Sequence, residues 1–140
     1  MMNLQKIDYT KVNWISVLLG IWQLPQIIGA LFLLIFLHSD IQPYKNTYNG
    51  ITVWKVEHSF RTCWSLGPFI FTARKQKDDL FRHESGHSVQ SIFLGPLFLF
   101  VVGIPSAILL GIKRNKGKDR DWYYAHYPEN WANKLGGVEQ

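Results

Sequence analysis

At 140 residues the chain is long enough for one domain with one modest core. It is 47% hydrophobic with six Trp, and its formal net charge of +5 comes with no nucleic-acid motif, so nucleic acid is excluded as a partner in favour of anionic lipid headgroups. Cys63 is the only cysteine, which excludes an intrachain disulfide.

Residues 1–11 form a short polar lead, and no charged residue occurs from Val12 to Leu37. As one helix that run is about 39 Å long at ~1.5 Å per residue, longer than the roughly 30 Å of a bilayer core. A surface helix is not apolar on every side over such a length. Residues 12–37 are therefore expected to be a membrane segment. His38-Ser39-Asp40 follows it without a small-x-small cleavage site, so the segment reads as a retained anchor. Pro25, inside Gln23-Leu24-Pro25-Gln26, removes a helix hydrogen bond and predicts a kink or break.

Residues 40–76 change character, and a β element is expected over 44–72. Asn49-Gly50 between Tyr48 and Ile51 is a strong two-residue hairpin signal. Residues 51–56 and 69–72 are rich in β-branched and aromatic side chains. They predict a small antiparallel β element, with Gly67-Pro68 confining the strand over 69–72 to an edge. Asp78-Asp79 then opens a helix over 78–94, acidic at the positive end of its dipole. Gly95-Pro96 breaks or bends it. No charged residue occurs from Ser88 to Ile112, and 94–112 is expected to be a second membrane or re-entrant segment, interrupted by Gly103-Ile104-Pro105. A basic loop runs from Lys113 to Arg120. A last helix is expected over 127–135, with Pro128 in its first turn and Gly136-Gly137 ending it. The expected fold class is mainly α and integral membrane, a single domain over 1–140 with a small antiparallel β element beside the 78–94 helix.

That helix carries His83-Glu84-Ser85-Gly86-His87, which reads HExxH. Residues i and i+4 lie one above the other on a helix, so His83 and His87 can aim two imidazoles at one metal. Glu84 then lies beside the open coordination position as the proton-accepting catalytic residue. A catalytic zinc needs a further protein ligand. Glu129 is the leading candidate, and His126 is its rival. Asn133 shares a helix face with Glu129 and can hydrogen-bond a ligand from behind. Tyr123, Tyr124, His126 and Tyr127 lie near enough in sequence to donate to an oxyanion. Gln90, one turn beyond His87, reads as a simple polar contact.

An HExxH helix followed by E-x-x-A-[D/N] resembles the gluzincin metallopeptidases, above all the membrane-embedded HtpX-type and CaaX-prenyl-protease group. Here the elements are His83 to His87 and Glu129-x-x-Ala132-Asn133. The chain is more closely similar to a set of small bacterial membrane proteins with an H-E-x-G-H-x-x-Q-S core. The matching elements are His83 to Ser91, Leu94-Gly95-Pro96-Leu97, Gly103-Ile104-Pro105-Ser106 and Glu129 to Gly137. The resemblance covers most of residues 60–140. It implies a membrane-embedded zinc metalloendopeptidase acting on a membrane-associated protein or peptide, with lipids as partners. Asn133 stands where the pattern has Asp, which implies weaker zinc binding. The alternative is a non-catalytic membrane protein whose structural or relic zinc site binds a partner.

The metal constrains topology, because His83 and His87 precede the second apolar run and Glu129 follows it. Either 94–112 dips in and returns, hinged at Gly103-Ile104-Pro105, or the C-terminal helix folds back to a polar cavity. Lys6 and Lys11 alone precede the first apolar run, so the basic remainder of the chain predicts an active site facing the cytoplasm from a bacterial inner membrane.

Overall fold

The computed structural model describes residues 14–37, 40–45, 52–59, 62–73 and 77–138. The Asn49-Gly50 hairpin lies outside them. Helices α1 (Trp14–Trp22) and α2 (Leu24–Leu37) are followed by β1 (Asp40–Lys45), β2 (Thr52–His58), β3 (Trp64–Leu66) and β4 (Phe69–Ala73). Helix α3 (Asp78–Leu94) leads through a 3-10 turn (Gly95–Leu97) and a π-helical turn (Leu99–Gly103) into α4 (Ile104–Asn115). Helices α5 (Arg120–Ala125) and α6 (Glu129–Gly136) complete the described chain.

The integral-membrane fold class is overturned. No single helix among the described residues is long and apolar enough to cross a membrane. Two local causes act. Pro25 has no N–H to continue the helix, and the run over 12–37 is divided at Gln23 into α1 of 9 residues and α2 of 14. Those are about 14 and 21 Å of helix, short of a ~30 Å core. The second apolar run turns by 119° between Leu97 and Leu99, so its halves lie on different axes. The turn falls at Phe98, just past Gly95-Pro96 and ahead of the expected hinge. At Gly103-Ile104-Pro105 the π-helical turn passes directly into α4.

Each of these later prolines orphans a carbonyl four residues back, and an aromatic side chain fills it. Pro96 cannot donate to Ile92 O, which accepts from Trp22 Nε1 at 3.0 Å. Pro105 cannot donate to Val101 O, which accepts from the Tyr127 hydroxyl at 2.7 Å. The polar break between α1 and α2 is a docking point for the same region. Ser91 Oγ donates to Gln23 Oε1 at 2.9 Å, and Gln26 Nε2 donates to Gly95 O at 2.5 Å. Gly95 has φ +51, and a Cβ there would come within 2.1 Å of the Trp22 ring, so both its conformation and its neighbour require glycine.

The sheet has the order β1-β2-β4-β3. It is mixed, not antiparallel, because β2 and β4 run parallel, with Trp54 opposite Phe69. The 69–72 strand is interior, and the edges are β1 and β3. The reason is visible in β4, whose Ile70, Phe71 and Thr72 are all buried. A continuous apolar run, unlike an alternating one, belongs to a strand covered on both faces. Pro43 lies on β1, an edge, where its missing N–H is tolerated. Beneath α2, Ala30 packs with Val56 and Phe71, flanked by Leu33, Leu34, Leu37, Trp64, Leu66 and Phe69. Large apolar side chains remain exposed on α1, α2 and 93–108, among them Trp14, Ile21, Phe32, Phe36, Phe93, Phe100 and Ile108. Exposed apolar surface on this scale marks a contact surface.

Helix α3 is buried along its whole centre, from His83 to Ser91. It packs against β3 and β4 on one side and α6 on the other. The approach to α6 is close because Gly86 and Gly136 lack side chains. A Cβ on Gly86 would stand 1.9 Å from Ala132 O, and one on Gly136 would stand 2.0 Å from Arg82 O.

Candidate metal centre

That close crossing brings the first turn of α6 onto the HExxH face of α3. His83, His87 and Glu129 are buried, and one ligand atom from each lies within 4.8 Å of the others. Glu129 Oε2 is 2.9 Å from His83 Nε2 and 3.2 Å from His87 Nε2. The imidazoles stand at 88° with centroids 4.8 Å apart. This buried cluster could hold a metal ion, and it is the only such group among the described residues.

Each ligand is held from behind by a neutral partner. Asn133 Oδ1 lies 2.7 Å from His83 Nδ1. Gln90 Oε1 lies 2.7 Å from His87 Nδ1. Ser106 Oγ donates to Glu129 Oε1 and lies 3.3 Å from the Tyr123 hydroxyl. The Gln90 amide also fixes a tautomer. Its Nε2 donates at 3.2 Å to Pro128 O, which can only accept, so its Oε1 faces the ring. His87 must then carry hydrogen on Nδ1, which directs Nε2 at the metal position.

The charges respond to this burial. Burial alone would raise the Glu129 pKa, but hydrogen bonds from His83 and His87 outweigh it and hold the carboxyl well below the usual range. Burial would lower the His87 pKa, and the hydrogen bond of Glu129 with the charges of Glu84 and Glu129 outweigh that and raise it. For Glu84 burial wins, pushing its pKa up against the opposing pull of His87 and His83. A metal ion would displace the protons this cluster otherwise holds.

The cluster opens on a cavity of about 660 Å³. Glu84 lines it with all three ligands, alongside Trp64 and Leu66 of edge strand β3. Tyr123 and Tyr124 line it too, and the Tyr124 ring meets His83 edge-on at 4.8 Å. A second cavity of about 610 Å³ is lined by His83, Tyr124 and Asn133 among others.

The sequence-derived candidates are sorted by these positions. His83, Glu84, His87, Glu129 and Asn133 come together, and Tyr123 and Tyr124 border them. His126 is exposed with its Nδ1 2.7 Å from Trp122 O, and it lies outside the cluster of His83, His87 and Glu129. Tyr127 is occupied with Val101 O and lines neither cavity. Gln90 is not a simple polar contact, since it orients His87. Ser106 is a site residue that sequence reasoning gives no role, and its signal in the chain is its place in the Gly103-Ile104-Pro105-Ser106 element.

No protein-family model, curated protein or solved structure matches the chain.

Proposed function

We propose that this protein is a zinc-dependent metallopeptidase, hydrolysing peptide bonds of a protein or peptide segment held in the 660 Å³ cavity. The observation that carries the reading is the three-ligand cluster opening, together with the Glu84 carboxylate, on one cavity. A structural zinc is closed by four protein ligands, whereas a catalytic one keeps a position free. Two imidazoles and one carboxylate form a nitrogen and oxygen donor set that suits zinc. Zinc there would polarise a peptide carbonyl and activate water.

The chain's own groups do the rest. Glu84 accepts the proton of the attacking water and hands it to the leaving amine. Its burial-raised pKa suits a group that must hold that proton between the two transfers. Tyr124, beside His83, donates to the developing oxyanion, and burial raises its pKa and keeps it protonated. Tyr123 is engaged with Ser106 and supports Glu129 instead. Edge strand β3, rather than the interior β4, offers main-chain groups to an extended substrate.

The test compares native protein and Glu84→Gln, both zinc-loaded, on a fluorogenic peptide library. The reading expects equal metal content and a loss of about 10²–10⁴-fold in hydrolysis for the variant. Equal metal content with no hydrolysis by either protein would favour a non-catalytic metal site that binds a partner.

A further inference from the structure

The cavity lining carries carboxylates and cations, and the metal centre accounts only for the carboxylates. Among the described residues Glu84 and Glu129 are the only carboxylates lining it, Glu129 as a member of that cluster and Glu84 beside it. Along the wall run Phe98, Val102 and Leu110, all apolar. Lys113 and Arg114, from the last turn of α4, are the only Lys or Arg lining it among the described residues. A helix C-terminus favours cations in general, but that does not explain why two of them border this cavity. Neither has a carboxylate partner among the described residues. Lys113 is half-buried, with Nζ 5.1 Å above the Tyr123 ring. The hydroxyl of that ring meets Ser106 behind Glu129. Lys113 Nζ is thus one tyrosine ring and two short contacts from the ligand carboxylate. That is on the order of 10 Å, or about three residues of extended chain at ~3.3–3.6 Å each.

We infer that Lys113 and Arg114 form a carboxylate-binding subsite that sets the substrate class. The substrate is a peptide with apolar residues beside the cleaved bond and a carboxylate about three residues beyond it. The carboxylate is either the C-terminus or an acidic side chain. An ammonium against the aromatic ring and a flexible guanidinium beside it give charge-assisted hydrogen bonds to such a group. The apolar wall takes the side chains between. This subsite rests on the peptidase reading, since it is the same cavity that is assigned to the peptide.

The test uses zinc-loaded Glu84→Gln, so that peptide binding is read without turnover. Three matched apolar peptide pools are compared by fluorescence anisotropy: free C-terminal acid, C-terminal amide, and amide with Glu at the third position beyond the apolar pair. At least one carboxylate pool should bind tenfold or more tighter than the plain amide, and which one identifies the source of the carboxylate. Adding Lys113→Gln and Arg114→Gln, which keep most of the side-chain stem, should cut that preference below threefold with zinc content unchanged. Equal binding of all three pools, or a preference that survives the double substitution, overturns the subsite and leaves the peptidase reading standing. Failure of every pool to bind overturns both.

Discussion

Gly86 offers the sharpest structural prediction, because one methyl group there acts on the fold and the metal site together. An ideal Cβ at Gly86 would lie 1.9 Å from Ala132 O and 2.7 Å from Ala132 C. Both contacts are backbone, so no side chain can rotate away. Restoring ordinary contact at 3.4 Å requires α3 and α6 to part by about 1.5 Å. Metal sites tolerate about ±0.2 Å in ligand distance, and α3 carries His83 and His87 while α6 carries Glu129. Gly86→Ala should therefore cost about 1–3 kcal/mol of stability by overpacking. For a chain of this size that is a fall in Tm of roughly 3–6 °C per kcal/mol. Zinc affinity should fall at least tenfold, which corresponds to about 1.4 kcal/mol. Gly111→Ala is the matched control. Gly111 lies inside α4, and a Cβ there meets nothing within 4 Å. That substitution should raise stability by about 0.4–1 kcal/mol by restricting the unfolded chain. Thermal unfolding of the metal-free proteins and zinc competition against a chromophoric chelator read both effects. If Gly86→Ala matches the native protein in Tm and zinc affinity, the crossing of α3 and α6 does not assemble the site.

Other expected outcomes concern the groups behind the ligands. Asn133→Asp places a carboxylate on His83 Nδ1 and should raise zinc affinity about 10-fold or more, and no gain in the chelator competition would refute the role given to Asn133. Ser106→Ala removes the donor to Glu129 Oε1 and should lower zinc affinity about tenfold with the circular dichroism spectrum unchanged; unaltered affinity would leave Ser106 without a part in the site. Zinc affinity should also depend on pH in a defined direction. In the metal-free protein His87 holds its proton above its ordinary 6.5, because Glu129 and Glu84 together outweigh burial. Metal must expel that proton, so affinity should climb as pH rises through 6.5 and level off only above the raised pKa. Calorimetric titration at several pH values checks this, and a flat profile from pH 6 upward would contradict it.

The site was more legible in the chain than the fold around it. His83 and His87 are fixed by helical spacing, and Glu129 and Asn133 by the same spacing on a second helix, so each pair needed only one turn of regular structure. Gly86 signalled the close crossing only once α6 was in place. Ser106 was hidden because a hydroxyl carries no direction in sequence, and it meets Glu129 only after the 119° turn. The same long-range character hid strand order, since the parallel pairing of β2 with β4 passes over β3, which local pattern does not encode. Gln23 and Pro25 did mark a break, but charge-free length outweighed it in the reading of a membrane span. The deciding contacts, Ser91 to Gln23 and Trp22 to Ile92 O, join residues about seventy positions apart.

The central claim is that His83, His87 and Glu129 bind one metal ion. Elemental mass spectrometry on native protein and Glu129→Ala, purified side by side, tests it most directly. The account expects about one zinc per native chain and its near-complete loss in the variant. Zinc kept in full by Glu129→Ala, or no metal in the native protein after reconstitution, would contradict it.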